Sequence, residues 1–63
     1  MKTNETLNAL LVDDDYSNNE LLRVFLTKYC PSVIVIGTAE SVDEALEAIQ
    51  QVKPDLLFLD IEL

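Results

Sequence analysis

Asp13, Asp14 and Asp60 are the residues of this chain best placed to do chemistry. Asp13 and Asp14 close the apolar run Ala9-Leu10-Leu11-Val12, and Asp60 closes the run Leu56-Leu57-Phe58-Leu59. Three carboxylates held close together repel one another, and all can ionise at low cost only around a cation. Mg²⁺ suits such a set, because it takes oxygen ligands and often uses one or two carboxylates together with waters and a phosphate oxygen. An Asp in that setting can also act as a nucleophile and become an aspartyl phosphate, with the surrounding protein supplying position and charge neutralisation.

These acids converge only if the chain brings two distant strand ends together. Apolar runs without alternation suit strands buried on both faces, as in a parallel sheet. The first strand is expected over about Leu7 to Val12. Ser17-Asn18-Asn19-Glu20 fits a capping box that opens a helix from about Ser17 to Tyr29. Leu22, Phe25, Leu26 and Tyr29 form its apolar stripe, and Cys30-Pro31 stops it. Val33-Ile34-Val35-Ile36 is β-branched throughout and predicts a second strand, ended by Gly37. Ser41-Val42-Asp43-Glu44 is a second capping box. Its helix runs to about Val52, with Val42, Ala45, Leu46, Ile49 and Val52 on one face and Glu44, Glu47, Gln50 and Gln51 elsewhere. Lys53-Pro54-Asp55 breaks the chain before the third strand, Leu56 to Asp60. Residues 1–6 are polar and expected to fray.

The order β-α-β-α-β predicts an α/β fold, a parallel sheet with helices on both faces. Strand three can continue outward past strand two or return beside strand one. With right-handed crossovers the return geometry puts the two helices on opposite faces and gives spatial order 2-1-3, the flavodoxin-like arrangement, in which ligands bind at the C-terminal strand ends. Periodicity alone leaves both geometries open. Only the second makes the first and third strands neighbours, about 4.8 Å apart, so that Asp13, Asp14 and Asp60 meet.

The plainer reading of an Asp after a strand is a helix cap or a turn, and for Asp15 that reading is preferred. Glu40, Asp43 and Asp55 read as surface charges. A calcium loop starting at Asp13 is excluded, because Asn18 stands where its Gly is needed and Val24 where its bidentate Glu is needed. Twelve acidic against four basic residues give a net charge of −8. Lys2, Arg23, Lys28 and Lys53 are scattered, so the chain offers no direct nucleic-acid surface. Cys30 is the single cysteine and there is no His, which rules out an internal disulfide and a Cys/His metal site; a half-buried thiol near a helix end is expected. No apolar run exceeds four residues, against the ~20 that span a bilayer, and no signal-peptide segment opens the chain. The location read from this is cytoplasmic. The chain has 63 residues, enough for one small domain that buries only about 60% of its unfolded surface.

Leu11-Val12-Asp13-Asp14-Asp15, Val35-Ile36-Gly37-Thr38-Ala39-Glu40, Ala45-Leu46 and Lys53-Pro54-Asp55-Leu56-Leu57-Phe58-Leu59-Asp60-Ile61-Glu62 together resemble the receiver domain of two-component response regulators, over residues 7–63. The ending Phe58-Leu59-Asp60-Ile61-Glu62-Leu63 is most similar to the subgroup with a LytTR-type DNA-binding output. The resemblance implies that Asp60 accepts a phosphoryl group from a histidine kinase. It implies that Asp13 and Asp14 help bind Mg²⁺, Asp14 directly, and that the backbone carbonyl of Glu62 is another ligand. Asp15 takes a place usually held by Glu.

The resemblance also implies a partial receiver, truncated after strand three and without its output domain. The switch Thr or Ser after strand four is missing, as is the Lys after strand five, so phosphorylation of this piece is expected to be weak or absent. Strand three then becomes a bare apolar edge, for which a two-fold dimer of order 2-1-3-3′-1′-2′ is expected. Two alternatives stand beside the signalling one: a non-enzymatic assembly module using that edge, and an aspartyl-nucleophile phosphatase of the haloacid dehalogenase type. In the latter the second Asp of Asp-x-Asp is replaced here by Glu62, and the Asp13-Asp14 pair goes unexplained.

Overall fold

A computed structural model describes residues 5–61; the polar residues 1–4, Glu62 and Leu63 lie outside the described residues. The elements are β1 (Leu7–Asp13), α1 (Tyr16–Tyr29), β2 (Val33–Ala39), α2 (Val42–Val52) and β3 (Leu56–Asp60). All pairings are parallel and the sheet order is β2-β1-β3. This is the return geometry, a flavodoxin-like α/β arrangement.

β1 is central, and Ala9 through Asp13 are buried, as an unbroken apolar strand covered on both faces requires. Leu10 and Val12 pack with Ala39 of β2, with Ala45, Ala48 and Ile49 of α2, and with Ile61. Alternation along the strand sends Leu11 and Asp13 to the opposite face, which is covered by α1 through its buried Leu26 and Asn19.

Three local expectations change. α1 starts one residue early: its cap is Asp15, whose Oδ1 accepts from the Ser17 backbone N–H at 2.9 Å. Asp suits this position because its carboxylate reaches the free amides of the first turn. Glu20 is therefore not part of a box. It pairs with Arg23 one turn on, and that guanidinium, first through its hydrogen bond, holds the Glu20 carboxyl below the usual range. The contribution is present above the ordinary Glu range and is lost as pH falls through the depressed value. It is small, because the pair is exposed.

At the second box Ser41 Oγ accepts from the Glu44 N–H at 3.1 Å, as expected, but Glu44 Oε1 accepts from the Glu40 N–H. Gly37 does not end β2. The strand runs on to Ala39, and the register slips so that Ala9 faces Val35 while Leu10 faces Gly37, leaving Ile36 as the extra residue of a bulge. Gly37 has no positive φ; a Cβ there would meet Leu10 Cδ1 at 3.4 Å, so its smallness serves close approach to the core.

The apolar stripes are broader than the surface they cover. In α1, Leu26 is buried and Leu22 half-buried, while Phe25 and Tyr29 are exposed and stack with ring centroids 4.9 Å apart. In α2, Ala45 is buried but Val42, Leu46 and Val52 are exposed. Both helices lie over β1 and β2, and no Cα of either comes within 8 Å of a Cα of β3. Leu57 and Leu59 are consequently exposed, Leu59 at 63%, while Leu56 and Phe58 are half-buried. Cys30 is a half-buried free thiol, as expected. Asp55 is more than a surface charge: its Oδ2 accepts from the Asn8 N–H at 2.8 Å and its own N–H donates to the Asn8 carbonyl at 2.7 Å, fastening β3 to β1.

α2 ends at Lys53, which is left-handed with φ 49 and ψ 65 and donates its N–H to the Ile49 carbonyl at 3.0 Å. A left-handed L-residue costs roughly 1–2 kcal/mol, whereas Gly adds about 0.5–1 kcal/mol of chain entropy. Lys53→Gly is therefore expected to stabilise the chain by ~0.5 kcal/mol, read as a higher urea midpoint at unchanged slope.

Candidate functional site at the strand tips

The β1–β3 ladder runs Ala9↔Leu56, Leu10↔Leu57, Leu11↔Phe58, Val12↔Leu59 and Asp13↔Asp60. The last pair puts two carboxylate-bearing residues, 47 positions apart in sequence, directly opposite one another on strands about 4.8 Å apart. Register partners in a parallel pair share a face, so both belong to the α1 side of the sheet. Asp14 follows Asp13 at the strand end, exposed.

Asp13 is only 8% exposed. Its Oδ1 accepts from the Asp15 N–H at 2.9 Å, the side-chain turn that Asp favours after a strand. Asp13 thus has a structural task, and Asp15, as expected, is the helix cap. Asp60 is exposed at the end of β3.

The two acids open onto a groove of about 650 Å³ between α1 and β3. Asp13, Asp60, Asn18 and Asn19 line its polar end, and Leu21, Leu22 and Phe25 of α1 face Phe58 along the rest. The groove exists because α1 is centred over β1 and β2 and leaves β3 uncovered.

Among the described residues no three His, Cys, Asp or Glu side chains gather closely enough to hold a metal ion by themselves. The donor set is a pair of hard oxygen ligands beside a third carboxylate. That fits Mg²⁺, which keeps several waters, and does not fit an all-protein cage for Ca²⁺ or Zn²⁺. The Glu62 carbonyl lies outside the described residues.

Asn19 was missed by sequence reasoning, which placed it inside a capping box. It is buried at 1% exposure, and its Nδ2 donates to the carbonyls of Ala39 and Asp13. The available signal was its spacing: Asn19, Leu22 and Leu26 lie at i, i+3 and i+7, so a polar residue interrupts the buried stripe.

A parallel sheet of order 2-1-3 with paired acids at its C-terminal edge defines a flavodoxin-like α/β protein with an acidic site at the strand tips. The response regulator receiver domain matches over residues 9–63, and the chain belongs to that family. The sensory transduction protein LytT of Bacillus cereus is 40% identical over 57 residues, which are 90% of this chain and 23% of that protein. LytT of Enterococcus faecalis is 42% identical over 57 residues, with the same shares. A protein-glutamate methylesterase/protein-glutamine glutaminase of Geobacillus kaustophilus is 39% identical over 59 residues, 94% of this chain and 17% of that protein. The chain thus spans about a quarter or less of the length of these relatives. The matched family is the receiver and not the haloacid dehalogenase-type phosphatase weighed above. No helix among the described residues is long and apolar enough to cross a membrane.

Proposed function

We propose that the chain is the phosphoacceptor part of a two-component response regulator, acting in the cytoplasm. Asp60 takes the phosphoryl group of a phosphohistidine on a histidine kinase. One Asp60 carboxylate oxygen attacks phosphorus, the P–N bond breaks with its electron pair returning to the imidazole ring, and an acyl phosphate is left on Asp60. Asp13 and Asp14, with Asp60 and the backbone carbonyl of Glu62, hold Mg²⁺, which offsets the negative charge gathered on the transferred group. Asp13 orients the site while its other oxygen anchors the start of α1. The chain serves as an acceptor in signalling and not as a turnover enzyme.

The Asp13↔Asp60 register carries this reading. The test is incubation of the chain with Mg²⁺ and a small phosphodonor such as acetyl phosphate. The expected product is a hydroxylamine-labile phosphoryl adduct on Asp60, formed slowly. An adduct at any other residue, or one that Asp60→Asn leaves in place, counts against it.

A second reading concerns assembly and rests on the exposure of β3. Among the described residues β3 pairs with β1 alone, so its outer edge offers unpaired backbone groups flanked by exposed Leu57 and Leu59. Such an edge templates pairing with another strand. The occupant is a second copy, joined by antiparallel β3–β3′ pairing about a two-fold axis. With −8 on each chain, added salt should tighten the dimer by screening. Sedimentation should show a dimer at high concentration that Leu59→Lys shifts to monomer. A chain that stays monomeric in high salt defeats this reading.

A further inference from the structure

The β1–β2 ladder stops at Val12↔Ala39. One residue further along β1 the Asn19 amide takes over. Its Nδ2 donates to the Ala39 carbonyl at 3.0 Å and to the Asp13 carbonyl at 3.4 Å. The NH₂ group carries two hydrogens and so can bridge the terminal residues of both strands.

Packing alone does not account for this side chain. A buried amide is costly unless its hydrogen bonds are made, and Leu would suit the stripe that Leu22 and Leu26 continue. What the amide adds is a link at the tip, acting on the main chain of the residue whose carboxylate stands opposite Asp60. The Asp15 N–H holds the same Asp13 from the other side through Oδ1 at 2.9 Å. Asp13 is thereby gripped at its carbonyl and at one carboxylate oxygen.

We propose that Asn19 is a positioning residue, which fixes the backbone of Asp13 so that its carboxylate meets Asp60 in the geometry a divalent cation requires. It acts through Asp13 and makes no contact of its own with the ion. The inference rests on the ion-site reading above and adds to it the residue that sets the site's precision. Partners that orient a metal ligand typically contribute about 10–100-fold in affinity.

The test uses the full chain with Asn19→Leu, Asn19→Gln and, as a control on the opposite sheet face, Gln51→Gly, an exposed position in the last turn of α2 where Gly loosens the helix at the end away from the tips. Two quantities are measured: the Mg²⁺ dissociation constant and, in ion-free chain, the carbonyl ¹³C shifts of Asp13 and Ala39. Asn19→Leu is expected to move both carbonyl resonances and weaken Mg²⁺ at least about tenfold. Asn19→Gln, which keeps the donors, should recover part of that loss, and Gln51→Gly should stay within about twofold of the parent chain. Unmoved carbonyl resonances in a folded Asn19→Leu chain, unchanged Mg²⁺ affinity, or an equal loss in Gln51→Gly would each overturn the proposal. A parent chain that ignores Mg²⁺ instead sinks the ion-site reading, and the carbonyl shifts still decide whether Asn19 sets the Asp13 backbone.

Discussion

Asp60→Asn is expected to abolish uptake of beryllofluoride with Mg²⁺ while leaving the chain folded and slightly more stable. The substitution is nearly isosteric and lies at the exposed end of β3, so no packing is lost. It removes the oxygen nucleophile and one of the two register-paired negative charges at the tips. A unit charge pair ~4 Å apart at an effective dielectric near 20 is worth about 4 kcal/mol, which corresponds to roughly two to three decades in affinity. In ion-free chain the same change relieves repulsion against Asp13, so the melting temperature rises. Asp13→Asn should weaken the ion with a smaller gain in stability, because Asp13 Oδ1 accepts the Asp15 N–H and an amide oxygen keeps that bond at reduced strength. A calorimetric titration and a melting curve on the same samples read both effects. An Asp60→Asn chain that still takes up the fluoride complex, or that melts lower than its parent, contradicts the site.

The sequence carried the site further than it carried the surfaces. Unbroken runs at residues 9–12 and 56–59 named parallel strands, but only the first is buried on both faces; neither helix covers β3, and its Leu57 and Leu59 are exposed. Right-handed crossovers left two sheet orders, and the acids at Asp13 and Asp60 made chemical sense in the one observed. Periodicity shows which residues share a face but not how wide the surface beneath them is. Phe25, Tyr29 and Leu46 therefore read as core, yet they are exposed, because both helices sit over β1 and β2 alone. Gly37 read as a strand end, since a lone Gly cannot by itself distinguish a turn from a bulge at which a core leucine comes close. Asn19 stayed hidden because its partners are backbone carbonyls at residues 13 and 39, which side-chain types do not reveal. Asp15 took the cap from Ser17 because the turn closed by Asp13 brings the chain into the helix one residue sooner.

Leu10→Ala should take the chain to the edge of unfolding, and Mg²⁺ should bring it back. Leu10 is fully buried in the central strand against Ala39 and Ala45, and truncating such a leucine costs about 2–5 kcal/mol. At roughly 0.05–0.15 kcal/mol per residue, a chain of this size has on the order of 3–9 kcal/mol in total. The loss is therefore a large part of its stability, whereas Leu59→Ala on the exposed end of β3 should change it by less than about 0.5 kcal/mol. Urea unfolding followed by circular dichroism separates the two, and a Leu10→Ala cost below about 1 kcal/mol would show that β1 is not the core. Unfolding β1 also parts Asp13 from Asp60, so an ion that needs both binds the folded state alone. At a hundred times its dissociation constant such an ion adds about 2.7 kcal/mol, comparable with what Leu10→Ala removes. Saturating Mg²⁺ should thus restore a cooperative transition to Leu10→Ala and fail to do so in Leu10→Ala/Asp60→Asn. Equal rescue of both chains would mean that the ion acts by general screening of the acidic surface and not through the paired carboxylates.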